Sequence, residues 1–301
     1  MVPRRLQAAL IAAVILLAAP AAAQVSPAIL RISTDTAGPG TYVLSGYTNG
    51  NILVVVADSG VLLVDGQSAR RVPGADSALR RLTPLPVRYV VNTHYHDDHI
   101  GGNPHWRSRG ALIVAHDQVP VEARKDTTIA EWENWHRESA APAALPDITF
   151  SDTLSLHLGA ERVVVLHPKP AHTGGDAVVW LPARNVIHVG DIVEIDAQPF
   201  IDWWAGGSID GMIAGVDALL PFINDSTRVV PGHGAIVRRP RVLAYRAMLV
   251  ALRDRVRRAV REGTAVEALI AERPLARYET DLGGPRRADH LLRLAMVGLK
   301  R

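Results

Sequence analysis

The sequence predicts an α+β fold in which two β-sheets pack face to face and helices cover them on the outside. Short strand-like runs occur in two groups, each rich in β-branched residues and bounded by Gly, Pro, Asp or Asn. Segments with helical periodicity accompany both groups. A hairpin over 51–65, which turns at Asp58-Ser59-Gly60, indicates antiparallel pairing. Elements mixed in this way are expected to pack as layers.

In chain order, the first group of predicted strands is 41–46, 51–58, 60–66, 87–92 and 111–115. The second group is 154–159, 162–167, 176–181, 185–193 and 227–232. Helical periodicity occurs around 74–82, 116–124, 208–220, 240–262 and 286–299. The segment 125–148 is predicted to be an irregular excursion between the two halves.

The long predicted helix has an apolar stripe and an arginine face. The stripe consists of Tyr245, Leu249, Leu252 and Val256, and the other face of Arg246, Arg253, Arg257 and Arg261. The arginines indicate either a helix on a membrane surface or a solvated face opposite a core stripe. Ordinary amphipathicity favours the second interpretation.

The N-terminus has the pattern of a cleaved secretory signal peptide over residues 1–23. Arg4 and Arg5 precede an apolar run from Leu6 to Ala19, and the small residues Ala21-Ala22-Ala23 form the cleavage site. A membrane anchor is the alternative, but the run is shorter than the roughly 20 residues that a span requires. We expect a periplasmic or secreted protein, with residues 24–301 as one domain ending in helices from about 236.

Composition limits the classes of partner. The chain has no cysteine, so it can form neither a disulfide, nor a thiolate metal site, nor a lipid anchor on cysteine. The formal net charge of +3 is too small to indicate nucleic-acid binding. We expect a small-molecule substrate and no membrane span after signal cleavage, and the oligomeric state stays open.

The stretch "NTHYHDDHIGG" (92–102) contains the candidate ligands His94, His96, Asp98 and His99. If the backbone stays extended after the strand, the first two histidines point the same way. Asp98 and His99 would then open a helical turn and fold back over the same point. The alternative is a polar loop, but its histidines would have to be exposed, because burying them unpaired is costly.

Four more candidates follow apolar strands, where loops gather at one edge of a sheet. They are Asp65 in "LLVDGQ", His172 in "AHTGGD", Asp191 in "HVGDIV" and His233 in "VPGHG". Asp65 also has a simple alternative as a turn residue, since Asp-Gly is a common turn dipeptide. His188, three residues before Asp191, is expected to point to the opposite face of its strand.

In this order, these segments resemble the metallo-β-lactamase superfamily of metallo-hydrolases over about residues 41–235. The resemblance implies a four-layer αββα sandwich with a dinuclear metal site at one edge. It implies that the first metal is held by His94, His96 and His172, the second by Asp98, His99 and His233, and that Asp191 bridges them. Asp65 falls where the family has a buried aspartate that orients a ligand.

The ligand set indicates the chemistry. Imidazole and carboxylate suit two zinc ions best, and also admit manganese or iron. Two such cations about 3.5–4 Å apart lower the pKa of a shared water and supply hydroxide at neutral pH. Asp98 is the candidate catalytic residue, which orients this water. We therefore predict a hydrolase of an ester, thioester, lactone or amide.

The substrate is the least determined feature. Asp191 stands where the best-known β-lactamases have Cys, which favours the general or glyoxalase-II-like branch of the superfamily. Glu194 stands where those enzymes have a lysine that binds the antibiotic's carboxylate, so we expect β-lactam hydrolysis to be slow. Trp203 and Trp204 form either a substrate wall or part of the core. A β-lactamase, an iron-dependent oxygenase and a non-catalytic metal-binding protein remain alternatives.

Overall fold

The structure, a computed structural model, describes residues 31–46, 49–130 and 134–299. Its first sheet has the strand order β1-β2-β3-β4-β5-β6-β9. The strands are β1 Ile32–Gly38, β2 Thr41–Gly46, β3 Asn49–Ala57, β4 Gly60–Val64, β5 Val87–Val91, β6 Leu112–His116 and β9 Ile148–Phe150. Neighbours from β1 to β4 pair antiparallel, and those from β4 onwards pair parallel. The predicted signal peptide (1–23) lies outside the described residues.

The second sheet follows the chain order of its five strands. They are β10 Thr153–Leu158, β11 Glu161–Leu166, β12 Val178–Leu181, β13 Val186–His188 and β14 Arg228–Val230, and the last pair is parallel. Side chains of the two sheets share one buried cluster, in which Val64 and Val114 of the first sheet lie with Val165 and Val179 of the second. The two sheets therefore pack face to face.

Helices cover the outer face of each sheet. In the first half they are α1 Val72–Leu82, α2 Asp97–Ile100, α3 Asn103–Ser108 and α4 Val119–Ala123. In the second half they are α5 Ile209–Leu219, α6 Arg239–Glu262, α7 Val266–Ala271 and α8 Pro285–Gly298. Leu79 and Trp106 pack on the first sheet, and Val216 and Leu249 pack on the second. This order of layers confirms the predicted αββα sandwich.

The structure differs from the sequence prediction at particular elements. The run 185–193 is a strand only as far as His188, because Gly190 adopts a positive φ of 53° and starts a 3-10 turn over Gly190–Ile192. The excursion 125–148 contains a two-stranded ribbon of β7 Thr127–Ile129 and β8 Trp135–Arg137. Strand β1 was missed because four consecutive residues of it are exposed, so it lacks an apolar alternation.

Helix α6 confirms its predicted apolar stripe and gives its arginines a different role. Tyr245, Leu249, Leu252 and Val256 are buried, as expected. Arg246 pairs with Asp217 of α5, and Arg257 pairs with Asp210 of the same helix. The arginine face is thus partly a helix-to-helix contact, which neither sequence interpretation included. Within the described ranges, no helix is both long and apolar enough to cross a membrane.

Candidate metal centre

The residues 92–99 form a tight turn between β5 and α2. Two side-chain hydrogen bonds stabilise this turn. The Asn92 side-chain amide donates to the His99 carbonyl over 3.1 Å, and the Asn103 side-chain amide donates to the Asn92 side-chain oxygen over 2.8 Å. Helix α2 begins at Asp97, immediately after the extended His96. The turn therefore brings His94, His96, Asp98 and His99 to one place, as the sequence predicted.

A first group of donor atoms consists of His94, His96, His172 and Asp191, whose potential ligand atoms all lie within 4.8 Å of one another. His96 Nδ1 lies 3.0 Å from His94 Nε2 and 3.1 Å from His172 Nε2. Asp191 Oδ2 lies 3.7 Å from the same two Nε2 atoms.

A second group consists of Asp98, His99 and His233. His233 Nε2 lies 3.2 Å from Asp98 Oδ2, and His99 Nε2 lies 3.7 Å from the same oxygen. Asp191 also faces this group, since its Oδ1 is 3.6 Å from His99 Nε2 and its Oδ2 is 3.4 Å from His233 Nε2. Asp191 therefore lies between the two groups.

The close approach of two loops at Asp191 requires a glycine. A Cβ atom at Gly232 would lie 1.8 Å from Asp191 Oδ1, which no side chain can tolerate. The Gly232 amide also donates to the Gly190 carbonyl over 2.7 Å. This contact places His233, one residue later, against Asp191.

Buried acceptors fix the imidazoles of the first group from outside. His172 Nδ1 donates to the Phe200 carbonyl over 2.8 Å, and His96 Nε2 donates to Asp202 over 3.1 Å. Thr93 Oγ1 donates to Asp65 over 2.9 Å, so this oxygen can accept from His94 Nδ1 at 3.0 Å. With these outward nitrogens protonated, the inward nitrogens present lone pairs to one another. Three facing lone pairs repel unless a cation lies between them.

Asp65 contacts a residue of the second group. Its carboxylate is fully buried, accepts the Thr93 amide over 2.7 Å and accepts His99 Nδ1 over 2.8 Å. The residue is also a turn residue, with a φ of 68°. The two interpretations of Asp65 are thus compatible.

Sequence reasoning missed Asp202, the buried acceptor behind His96. Asp202 also accepts a hydrogen bond from Tyr95, whose hydroxyl in turn accepts one from Arg137 of β8. Burial, the largest single influence, would raise the Asp202 pKa, but the interactions with His96, Tyr95 and His172 together outweigh it and lower the pKa to about 2. A buried aspartate within the apolar stretch "PFIDWW" was the available signal.

The two groups hold protons differently. In the first group, burial lowers the pKa of His94 well below its usual value and lowers that of His172 to about 4. In the second group burial acts in the same direction, but Asp65 and neighbouring carboxylates outweigh it and raise the His99 pKa to about 9. At His233, Asp191 and Asp98 together likewise outweigh burial and raise the pKa well above the usual value.

Two buried donor atoms are suited to bind a cation. His99 Nε2 and Asp191 Oδ1 face each other and have no hydrogen-bond partner among the described residues. Leaving such atoms unsatisfied is costly. Both belong to the groups defined above, and imidazole with carboxylate is a donor set that suits zinc, manganese or iron.

A cavity of about 1010 Å³ opens beside these groups. Asp98, Asp191 and His233 line it, together with residues of strand β8 and of helix α8. Glu194 also lines it. The Glu194 carboxylate accepts the Phe200 amide over 3.0 Å, and burial together with Asp191 raises its pKa to about 8.

Trp203 and Trp204 are not among the residues that line this cavity. Trp203 packs against the core under the C-terminal helices and lies close to Gly298 of α8. The two rings contact each other, with centroids 4.5 Å apart. The aromatic side chains that line the cavity are instead Phe200, Tyr95 and Trp135.

His188 was expected to face away from the site, and this prediction was wrong. The ring is fully buried and close enough to Asp65 and His99 for their charges to act on its pKa, which burial lowers to about 4. Its Nδ1 accepts the Gly190 amide over 3.2 Å. Neither donor group includes His188, so its contact supports the turn before Asp191.

The chain is similar to known proteins of one family. A family model described as the metallo-beta-lactamase superfamily matches residues 45–233. The chain is 25% identical over 197 residues to a metallo-beta-lactamase type 2 of Bacillus sp. (strain 170), covering 64% of this chain and 71% of the relative. It is 22% identical over 184 residues to metallo-beta-lactamase IND-1 of Chryseobacterium indologenes, covering 61% and 71%.

Solved structures show the same fold. A metallo-beta-lactamase from Pontibacter korlensis superposes with a TM-score of 0.59 at 20% identity, over 73% of this chain and 99% of that one. The metallo-beta-lactamase FIM-1 from Pseudomonas aeruginosa, in its mono-zinc form, superposes with a TM-score of 0.58 at 19% identity, over 75% and 97%. At such identities the likeness shows the architecture.

Proposed function

The chain belongs to the metallo-β-lactamase superfamily and is a metal-dependent hydrolase; from this premise we propose that it is an exported dinuclear zinc hydrolase of carbonyl compounds. The observation that carries the proposal is the pair of donor groups joined by Asp191. An ester, thioester, lactone or amide is the substrate class. Two metals flanking one carboxylate suit attack on such a bond.

The proposal assigns each donor residue a role. His94, His96 and His172 would hold one zinc ion, and Asp98, His99 and His233 would hold the other. Asp191, which lies within 3.7 Å of donors in both groups, would bridge them. Asp65 and Asp202 would keep His99 and His96 in the required orientation and tautomer.

When bound, two divalent cations supply Lewis acidity, which polarises a carbonyl and lowers the pKa of a nearby water. The residues of this chain then position the water. The Gly50 amide donates to Asp98 Oδ2 over 3.2 Å and so orients the carboxylate. Interactions with His99 and His233 outweigh burial and lower the Asp98 pKa, which keeps this carboxylate ionised and able to accept a water proton.

β-Lactam hydrolysis is a second candidate, because the relatives reported above are β-lactamases. Asp191 and the absence of cysteine favour the general hydrolase branch instead. Glu194 lines the cavity and would oppose a substrate carboxylate when ionised. We therefore propose that β-lactams are turned over slowly. An iron-dependent oxygenase would differ in its metal content.

The proposed location is the periplasm or the extracellular medium. It rests on the sequence of residues 1–23 alone, with cleavage after Ala23. N-terminal sequencing of the protein from its native host is expected to read from Gln24. A mature chain that begins at Met1 or Val2 would contradict export.

Metal analysis and a substrate panel test the activity. We expect two zinc ions per chain and hydrolysis of chromogenic esters, thioesters or lactones in preference to cephalosporins. The His96→Ala variant should lose metal and activity. The His136→Ala variant is the matched control, because His136 lines the same cavity but belongs to neither donor group. One iron per chain, or wild-type protein inactive on the whole panel, would refute the proposal.

A further inference from the structure

Arg287 of the C-terminal helix α8 places a positively charged guanidinium group in the cavity beside the metal centre. It lines the 1010 Å³ cavity and also a neighbouring cavity of about 750 Å³, and both cavities include His233 and Ala197. Helix α8 lies beyond residues 45–233, where the family model matches. The cation is therefore a property of the C-terminal helices of this chain rather than of the family-matched region.

The other arginine of the cavity already has partners. Arg137 donates to the Tyr95 hydroxyl, lies over the Tyr95 ring and is 3.7 Å from Glu122. Arg287, in contrast, has no carboxylate partner anywhere in residues 31–46, 49–130 and 134–299. Of the two guanidinium groups that line the cavity, Arg287 is the one with its charge available to a ligand.

The position of Arg287 on α8 also favours an anion. The residue lies in the first turn of the helix, which contains no acidic side chain. A cation there is opposed by the positive end of the helix dipole, and a bound anion would offset this repulsion. The guanidinium folds over Gly283, with Nη1 3.2 Å from where a Cβ would be, so the missing side chain at Gly283 leaves room for it.

We propose that Arg287 determines substrate specificity by binding a carboxylate at the end of the substrate remote from the scissile carbonyl. This inference rests on the proposed hydrolase function and narrows its substrate class to anionic acyl compounds. The carbonyl would lie at Asp98 and His233, and the apolar chain would contact Phe200 or Trp135, the latter 39% exposed at the cavity wall. A guanidinium–carboxylate pair supplies two parallel hydrogen bonds to such a group.

A pair of chromogenic esters of equal chain length tests the proposal. Both 4-nitrophenyl hemiglutarate and 4-nitrophenyl valerate have five acyl carbons, but only the first ends in a carboxylate. In Arg287→Gln, we expect the KM for the hemiglutarate to rise about tenfold, with kcat and both valerate constants nearly unchanged. Arg287→Lys should lose less, because it keeps the charge but not the bidentate geometry.

Arg286→Gln is the matched control, since Arg286 is exposed on the same helical turn and does not line either cavity. Its constants for both esters should equal those of the wild type. Equal changes for the two esters in Arg287→Gln, or an Arg286→Gln effect as large as that of Arg287→Gln, would overturn the role of Arg287.

A binding measurement separates this proposal from the hydrolase proposal. Calorimetry of zinc-loaded protein with glutaric acid monoanilide, compared with valeranilide, reports recognition without requiring turnover. We expect Arg287→Gln to weaken binding of the anionic anilide about tenfold and to leave the neutral one unchanged. Equal affinities of wild type and variant for the anionic anilide, or no binding to the wild type, would overturn the inference. Failure of ester turnover alone would refute only the hydrolase proposal.

Discussion

The two donor groups of the metal centre share Asp191 but differ in burial and in the protons that they hold. His94 and His172 in the first group are buried, whereas Asp98 and His233 in the second have side chains 27% and 22% exposed. Burial lowers the imidazole pKa values of His94 and His172, and carboxylates raise those of His99 and His233. The first group is therefore prepared for a cation at neutral pH, and the second must first release protons.

Substituting one ligand in each donor group should produce the largest effect on activity and should show which metal each group binds. We expect His96→Ala to lower kcat/KM by more than about 100-fold and to remove the first metal. The variant loses a direct ligand, and this loss should cost more metal affinity than the loss of a residue that only orients a ligand. His233→Ala should lower activity as strongly but retain one metal per chain. Mass-spectrometric metal analysis of both variants checks this. Loss of both metals from His233→Ala would show that the groups are not independent.

A change of pH should alter the metal affinities of the two groups unequally, by a smaller factor than the loss of a ligand. Below about pH 9 the metal-free His99 ring carries a proton that a cation must displace, so the second zinc should bind more weakly as pH falls. We expect its Kd to rise at least about tenfold per pH unit between pH 8 and 6. The first zinc should change less, because burial holds the pKa of His172 near 4. Chelator competition at pH 8, 7 and 6 measures both constants, and parallel slopes would contradict the contrast.

Asp65 and Asp202, the carboxylates behind the ligands, should each affect only one of the two donor groups. Removing either charge should weaken binding of one metal by about 10–100-fold. Asp65→Asn should weaken the second zinc, because Asp65 accepts the His99 hydrogen bond. Asp202→Asn should weaken the first, because Asp202 accepts from His96. Zinc titration of each variant identifies the affected site. The reverse assignment would refute the orienting roles.

Glu194 should produce the smallest effect. From the sequence we expect an anionic Glu194 that repels a β-lactam carboxylate. In the structure, burial and Asp191 raise the Glu194 pKa to about 8. Near pH 7 Glu194→Gln should therefore raise kcat/KM on cephalosporins by only about threefold, and the glutamine oxygen can still accept the Phe200 amide. Neutral esters serve as the control and should not change. A tenfold gain at pH 7 would show an ionised Glu194.

Much of the fold and most of the cluster could be predicted because their signals are local. The buried strands are runs of β-branched residues, and four donor residues lie within six positions of one turn. Asp202 could not be predicted, since its hydrogen bond to His96 joins residues 106 positions apart. Arg287 has no local signal either, because only the packing of α8 brings it to the cavity. His188 was misplaced because strand alternation ignores the turn that Gly190 imposes.

The hydrogen-bonded series Arg137–Tyr95–Asp202–His96 joins the cavity wall to the metal centre. A protein engineer who grafts another enzyme's β7–β8 ribbon onto this scaffold, to admit a bulkier substrate, would also delete the arginine that holds Tyr95. On the proposed function, the graft would then alter metal affinity together with substrate preference. Keeping Arg137 while varying the rest of the ribbon is the design that separates these two traits.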